Sequence, residues 1–172
     1  MTKSFLMNRK IFFHPERCML CQSCVLACEM NFLGVSDPQK ISFDEKPLQR
    51  IRVTFSHGTP WVWKCQHCLS APCVEACISG SLITMEGRTG VMHHLETCVG
   101  CGSCLLGCPY GALSYDEKGK RVTKCNLCFE KEIPPCVEAC QSRALVFQEL
   151  NSFVQVKRKR MVQKIGGSHE AD

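Results

Sequence analysis

The chain has 172 residues, a formal net charge of +5 and 16 cysteines, and its length suits one domain or two closely joined halves. The formal charge treats every cysteine as neutral, whereas metal-bound thiols are deprotonated, so the charge does not support nucleic acid binding. No stretch approaches the roughly 20 apolar residues of a transmembrane helix, and the N-terminus shows no signal peptide. We therefore expect a cytoplasmic protein whose thiols serve metals rather than disulfides.

The cysteines form four groups of four, with none left over. The third group has the spacing C-x2-C-x2-C-x3-C-P, which is typical of proteins whose first three thiolates hold one iron-sulfur cluster while the fourth reaches another. The first group has the same spacing without the proline, and the other two have a longer middle gap. The groups are Cys18, Cys21, Cys24 and Cys28; Cys65, Cys68, Cys73 and Cys77; Cys98, Cys101, Cys104 and Cys108; and Cys125, Cys128, Cys136 and Cys140.

The first group lies between a predicted strand and a predicted helix. Residues 10–14 are rich in strand formers and lead into the first cysteine loop. Cys28 is followed by Glu29 rather than by proline, so nothing stops the helix there. We expect this helix to continue through Met30 and Phe32.

Residues 34–64 form the longest connection between groups. Residues 48–55 alternate apolar and polar side chains, which predicts a half-buried strand. Trp61 and Trp63 then lead into the second group. This segment either covers the metal centres, or its tryptophans form a docking surface, since aromatic residues are enriched at interfaces; we favour cover.

An internal repeat links the second and fourth groups, because the sequence PCVEAC occurs at residues 72–77 and 135–140. Hairpins are predicted over residues 81–94 and 112–123, and a closing strand over residues 144–147. The tail contains a basic run at residues 157–160, where the apolar spacing allows an amphipathic helix. We interpret the run as a solvated face, ahead of docking to an acidic partner or a membrane surface, and expect disorder over residues 166–172.

With these residues in view, the chain resembles the four-cluster ferredoxin-like electron-transfer subunits of anaerobic oxidoreductase complexes. The order of the four groups over residues 10–147 carries this resemblance. Within that superfamily, KCQHCLSAPCVEACISG at residues 64–80 and CVGC at residues 98–101 are most similar to the iron-sulfur partner of nickel carbon monoxide dehydrogenase (CooF type). The resemblance implies an α+β fold of two interlaced bacterial-ferredoxin-like halves, with short helices, small hairpins and long loops, over residues 1–147, followed by a basic tail over residues 148–172.

The resemblance also implies how the thiolates are shared among four 4Fe-4S clusters. The outer groups share two clusters, held by Cys18, Cys21, Cys24 and Cys140, and by Cys125, Cys128, Cys136 and Cys28. The inner groups share the other two, held by Cys65, Cys68, Cys73 and Cys108, and by Cys98, Cys101, Cys104 and Cys77. This chain departs from the family pattern at Glu29, Ile78 and Gln141, where proline often follows the last cysteine, and at Arg143, where glycine is usual.

The implied function is electron transfer between a catalytic subunit, here carbon monoxide dehydrogenase, and an acceptor such as a hydrogenase. The sequence offers no acid-base pair, nucleophile or phosphate-binding loop, so we expect no substrate chemistry of its own. A subunit of a molybdopterin oxidoreductase or of formate hydrogenlyase is the alternative. A redox sensor and a zinc-bound interaction module are more distant alternatives. We expect a cytoplasmic location, with attachment to a membrane surface through a partner protein as the alternative.

A few polar residues beside the cysteines are expected to influence the clusters. Lys64 and Lys124 each precede a ligand and should stabilise the more negative, reduced form by simple attraction. His67 lies inside a cysteine loop, and because the thiolate set is complete we expect it to hydrogen-bond near a cluster rather than to bind iron. His93 and His94 are expected to be structural or to lie at the surface.

Overall fold

The computed structural model describes residues 9–41, 49–85 and 90–166 of the chain. Within these ranges it contains five α-helices and four separate two-stranded antiparallel sheets. The α+β fold predicted from the sequence is therefore confirmed.

The two ends of the cysteine-containing region meet in one sheet. Strands β1 (Arg9–Phe13) and β8 (Leu145–Glu149) pair antiparallel, with Ile11 opposite Phe147. Both strands were predicted, but β8 extends two residues beyond residue 147 because Glu149 still pairs with Arg9. The C-terminal tail therefore begins two residues later than expected.

The other three sheets are hairpins between neighbouring strands. Two of them occur where hairpins are predicted, whereas in the remaining one, at residues 51–64, only the first strand was predicted. Leu48, at the start of that predicted strand, and residues 86–89, a predicted turn, lie outside the described ranges. The hairpins are β2 (Ile51–Ser56) with β3 (Thr59–Lys64), β4 (Leu82–Thr84) with β5 (Val91–His93), and β6 (Leu113–Asp116) with β7 (Arg121–Lys124).

The β2–β3 hairpin presents two different faces. Val53 pairs with Val62, and both pack against the protein interior. Trp61 and Trp63 lie on the opposite face and are 53% and 47% exposed. The interpretation that this segment covers the metal centres therefore holds for the face with Val53 and Val62. It is wrong for the face with Trp61 and Trp63.

Helix α1 (Ser23–Leu33) continues past the last cysteine of the first group, as predicted, and ends at Gly34, whose φ of 66° caps the helix. The remaining helices near the cysteines are one turn or slightly longer. Two of them begin with proline, which is favoured at the first helical position. They are α2 (Pro72–Glu75), α3 (Ser103–Gly107) and α4 (Pro135–Glu138).

The tail forms helix α5 (Leu150–Gly166). Phe153 stacks on Phe12 of β1 with ring centroids 4.0 Å apart, while residues 157–159 of the basic run are exposed, as predicted. Gly166 was expected in a disordered end but is the last residue of the helix, and residues 167–172 lie outside the described ranges.

Two separate hydrophobic clusters fill the interior, and cysteines belong to both. One joins the first and fourth groups through residues that include Cys24 and Cys136. The other joins the second and third groups through residues that include Cys73 and Cys104. A third, small cluster contains Cys65 and Cys125 and lies where the two meet.

Candidate metal centres

The cysteine loops share one unusual backbone feature. The residue before the second cysteine has a positive φ in every group, with values of 58° at Leu20, 50° at His67, 67° at Gly100 and 59° at Leu127. A left-handed residue costs about 1 kcal/mol or more when it is not glycine. Left-handed residues next to right-handed ones direct successive N–H groups into one concavity, an arrangement found at many iron-sulfur sites. The four cysteine loops thus share one backbone conformation at this position.

In the first and third groups, which have the short spacing, one helix carries the third and fourth cysteines. Cys24 and Cys28 lie in α1, and Cys104 and Cys108 lie in α3 and at its C-terminal cap. A separation of four residues corresponds to one helical turn, or roughly 6 Å of rise. Each of these helices can therefore join two neighbouring sites.

The last cysteines of the second and fourth groups, which have the longer middle gap, have matching environments. The backbone N–H groups of Leu82 and Leu145 donate to the Sγ atoms of Cys77 and Cys140, both at 3.4 Å. Hydroxyl groups of serine lie near both sulfurs. N–H and O–H donors of this kind stabilise a thiolate, which is the form that binds metal.

Cysteines of the outer groups line two cavities. One is lined by the thiols of Cys28, Cys125, Cys128 and Cys136, together with basic and apolar side chains. The other is lined by Cys18, Cys21, Cys24 and Cys140, together with apolar and uncharged residues. We name these groupings the Cys125 set and the Cys18 set.

The inner groups also approach one another. Burial raises the pKa of Cys104 to about 11, and repulsion from Cys77, Cys98 and Cys101 adds to this shift. Burial likewise raises the pKa of Cys73, with Cys65 and Cys108 contributing, and Cys68 packs against the same hydrophobic cluster. We name these groupings the Cys98 set, which includes Cys77, Cys101 and Cys104, and the Cys65 set, which includes Cys73 and Cys108 and, as the resemblance implies, Cys68.

The donor chemistry of these sets fits 4Fe-4S clusters. Thiolates are the soft ligands that such clusters use, and the N–H donors described above point at sulfur. Burial raises the pKa of Cys24 to about 11 and that of Cys28 to about 12, so metal binding must displace protons. In the part of the chain that the structure describes, no three His, Cys, Asp or Glu side chains are arranged to hold a single metal ion.

Buried cations lie where the two halves meet. The side chains of Lys64 and Lys124 are only 6% and 2% exposed, and the Lys124 ammonium donates to the carbonyl oxygens of Val91 and Cys125. Arg50 is a third cation here, and the sequence analysis missed it. It stands in the long connection, far from any cysteine in sequence, so spacing gave no signal for it.

His67 is buried, and only one of its two ring nitrogens has a hydrogen-bond partner among the described residues. Its Nδ1 accepts a hydrogen bond from the N–H of Val91 at 3.2 Å, so the proton of the neutral ring is on Nε2. That atom has no hydrogen-bond partner among the described residues. His93 lies in β5 and is half-buried, and His94 is exposed. Both therefore match their expected structural or surface positions.

Comparison with known families agrees with this geometry. Residues 57–150 match a family described as a 4Fe-4S dicluster domain, and residues 17–83 match a second family with the same description. The chain belongs to the 4Fe-4S dicluster domain family. It is accordingly an iron-sulfur electron-transfer protein with ferredoxin-like folding units.

Several relatives of this dicluster protein are known. The putative electron transport protein YsaA of Escherichia coli is 34% identical over 92% of this chain and 99% of its own length. An iron-sulfur protein of Rhodospirillum rubrum is 30% identical over 94% of this chain and 93% of its own length. The iron-sulfur subunit of the nitrate-inducible formate dehydrogenase of E. coli is 29% identical over 84% of this chain and 55% of its own length. These names support electron transfer rather than catalysis on a substrate.

Among solved structures, the active site complex BamBC of benzoyl coenzyme A reductase aligns with 90% of this chain and 89% of its own chain, at a TM-score of 0.43 and 16% identity. Across the described ranges, none of the helices has the length and apolarity needed to cross a membrane.

Proposed function

We propose that this chain holds four 4Fe-4S clusters and relays electrons between a catalytic subunit at one end and an acceptor at the other. Each of the four cysteine sets would supply the ligands of one cluster. A bound cluster of this type accepts and releases single electrons. The protein contributes the positions, the hydrogen bonds and the charges that surround it.

The order of the sets along the molecule is the main support for this proposal. Cys65 and Cys125 share one small buried cluster of side chains, with Cys108 packed against it, so the Cys65 and Cys125 sets are neighbours at the centre. Cys21 and Cys101 are exposed, and they belong to the two remaining sets. We therefore propose that the sets follow one another as a line with an accessible cysteine at each end.

Helices link each terminal set to its central neighbour. Helix α1 carries Cys24 of the Cys18 set and Cys28 of the Cys125 set, and α3 with its cap connects Cys104 and Cys108 in the same way. These short links favour rapid electron transfer along the line. They also hold the spacing fixed, because each helix is anchored by cysteines of two sets.

Exposed apolar residues beside the terminal cysteines suit partner binding. Met19 and Val99, which precede Cys21 and Cys101 by two residues, are 63% and 64% exposed. Exposed apolar side chains that flank an active group are typical of docking sites. We propose that redox partners dock at these two ends.

Two classes of catalytic partner have support. The segments at residues 64–80 and 98–101 resemble the partner of nickel carbon monoxide dehydrogenase, with a hydrogenase or other reductase as acceptor. The relative named as a formate dehydrogenase subunit instead favours a formate or other molybdopterin enzyme. We retain carbon monoxide dehydrogenase as the leading proposal and the molybdopterin enzyme as its alternative.

The test is anaerobic purification of the native complex through a tag on this chain, followed by mass spectrometry and iron analysis. Recovery of carbon monoxide dehydrogenase, with carbon monoxide bleaching the brown complex, would establish the leading proposal. A molybdopterin subunit would establish the alternative. A colourless preparation without iron would overturn the four-cluster relay itself.

Variants of the tagged chain locate the docking ends. Val99→Glu and Met19→Glu should each reduce recovery of one partner, because each places a charge on an exposed apolar contact beside a terminal set. Val162→Glu, an equally exposed site on α5, is the matched control and should leave recovery unchanged. Equal losses in all three variants would contradict docking at the ends.

A further inference from the structure

Arg50 is a half-buried cation in the wall of the Cys125 cavity. Its Nε donates to the hydroxyl oxygen of Thr123 at 2.8 Å, and its guanidinium carbon lies 3.3 Å from the centre of the Phe32 ring. These two contacts fix the side chain from opposite elements, α1 and β7. A guanidinium does not lose its proton in a protein, so the cavity has a permanent positive charge beside it.

Two further cations lie at the same junction between the halves. Lys64 lines the Cys125 cavity together with Arg50. Burial lowers the pKa of Lys64, and attraction to Cys125, Cys65 and Cys136 opposes this shift. Burial also lowers the pKa of Lys124, and attraction to Cys65, Cys125 and Cys73 opposes this shift. Lys64 and Lys124 are thus shared between the two central sets, whereas Arg50 serves the Cys125 set.

The Cys18 cavity has an uncharged lining, and uncharged donors stabilise thiolates of the Cys98 set. Apart from its cysteines, the Cys18 cavity is lined by apolar and uncharged side chains such as Phe13, Val53 and Val62. In the Cys98 set, burial raises the pKa of Cys77, but hydrogen bonds from serine hydroxyls and from the N–H of Leu82 lower it to about 7. Hydrogen bonds from Ser103 lower the pKa of Cys101. The charge difference between the centre and the ends is therefore a property of the fold.

One buried acidic side chain opposes these cations. Glu29 is buried next to Cys28 and interacts with Arg50; burial raises the pKa of its carboxyl group, and Arg50 partly offsets this. Burial raises the pKa of Cys128, Glu130 adds to this shift and Lys131 opposes it, but both charged side chains are exposed and their charges have opposite signs. Two buried lysines and one half-buried arginine against one buried carboxyl leave the side chains around the central cysteines with a net positive charge.

We propose that Arg50, assisted by Lys64 and Lys124, makes the two central clusters the first to accept electrons, so that the terminal clusters exchange electrons with a central reservoir. This inference rests on the proposed function. Reduction adds one electron from a low-potential donor and no proton, so the reduced cluster is more negative by one charge. A fixed cation in a poorly solvated site stabilises that extra charge much more strongly than a cation in water does.

The first test replaces the charge of Arg50 and follows reduction by electron paramagnetic resonance during an anaerobic redox titration. Arg50→Gln should move the midpoint of the first reduction to a more negative potential, and Arg50→Lys should restore most of that shift. Arg52→Gln is the matched control: Arg52 is exposed, two residues further along, and bonds to Ser114. A first midpoint that Arg50→Gln leaves unchanged, or that Arg52→Gln moves equally, would overturn the proposal.

A second test keeps the native charges and asks which cluster is reduced first. Serine is placed at the fourth cysteine of one set at a time. Cys28→Ser or Cys108→Ser, in the central sets, should alter the first signal to appear, whereas Cys77→Ser and Cys140→Ser should leave it intact. The reverse pattern would overturn the inference even if the Arg50 variants fail to fold, whereas a wild-type protein without clusters would instead refute the proposed function.

Discussion

Gly100 lies directly against the backbone of Lys120. A β-carbon at residue 100 would overlap the carbonyl oxygen of Lys120, and the φ of Gly100 is 67°. The loop of the Cys98 set therefore has no room for a side chain here. We predict that Gly100→Ala lowers the iron content of the purified protein, because the loop must move away from Lys120 at a cost of about 1–3 kcal/mol beyond the backbone strain.

Gly80→Ala is the control for backbone strain alone. Gly80 has a φ of 65°, but a β-carbon there would meet nothing within 4 Å. We expect a loss of only about 1 kcal/mol in stability and near-normal iron content. If the two variants lose iron equally, the contact with Lys120 is not the cause.

Arg143 occupies the repeat position of Gly80. Its φ is 52°, and its N–H donates to the carbonyl oxygen of Cys140 just as the N–H of Gly80 does to Cys77. We predict that Arg143→Gly stabilises the protein by about 1 kcal/mol, because glycine adopts this conformation without strain. The measurement is the rate at which visible absorbance is lost in denaturant, and a faster loss than in wild type would contradict the prediction.

The sequence predicted most of the fold because cysteine spacing and strand patterns are local signals. Two of the hairpins, strand β2, the length of α1 and the strands at both ends follow from such patterns, whereas strand β3 was not predicted. The orientation of the β2–β3 hairpin did not, since both of its faces carry apolar side chains. Alternation alone does not distinguish the Val62 face from the face of Trp61 and Trp63.

The environment of the cysteines was less accessible from sequence. Left-handed glycines are expected from composition, but Leu20 and Leu127 adopt the same conformation, and leucine gives no sign of it. Arg50 is brought to the Cys125 cavity by folding of the long connection. Its partners, Phe32 and Thr123, are distant in sequence, so no spacing rule could have identified it.

The assignment of thiols to sets predicts which double substitutions are redundant. Cys18→Ala and Cys140→Ala remove ligands from one proposed cluster, so the double variant should lose no more iron than the worse single variant. Cys18→Ala with Cys28→Ala affects two clusters and should lose about twice as much. Iron and acid-labile sulfide per chain provide the measurement, and additive loss in the first pair would contradict the shared cluster.

His93 makes stability depend on pH. Burial lowers the pKa of His93 to about 4, and repulsion from Lys124 and Arg50 contributes. Between pH 6.5 and 4 the unfolded chain therefore takes up a proton at this residue while the folded chain does not. The contribution of His93 to the free energy of unfolding is therefore fully present above pH 6.5 and is lost as the pH falls towards 4.

We predict that His93→Gln weakens this dependence. The rate of absorbance loss in mild denaturant would be measured at several pH values for both proteins, each relative to its own rate at pH 7. Acid attack on bound sulfide affects both proteins alike, so the ratio of the two profiles isolates the histidine. Parallel profiles would show that His93 does not contribute.

Phe153 holds α5 against the body of the protein. Its ring stacks on Phe12 and also contacts the ring of His14, with centroids 5.5 Å apart. The ion pair between Arg160 and Glu16, at 3.5 Å, lies at the surface, where such pairs contribute about 1 kcal/mol or less. We predict that Phe153→Ala loosens the helix and speeds trypsin cleavage within residues 157–160, whereas bound iron stays unchanged because no cysteine lies in α5.

Glu16→Gln removes the ion pair without altering a trypsin site and should have a much smaller effect, so equal acceleration in both variants would assign the attachment to charge rather than to ring stacking.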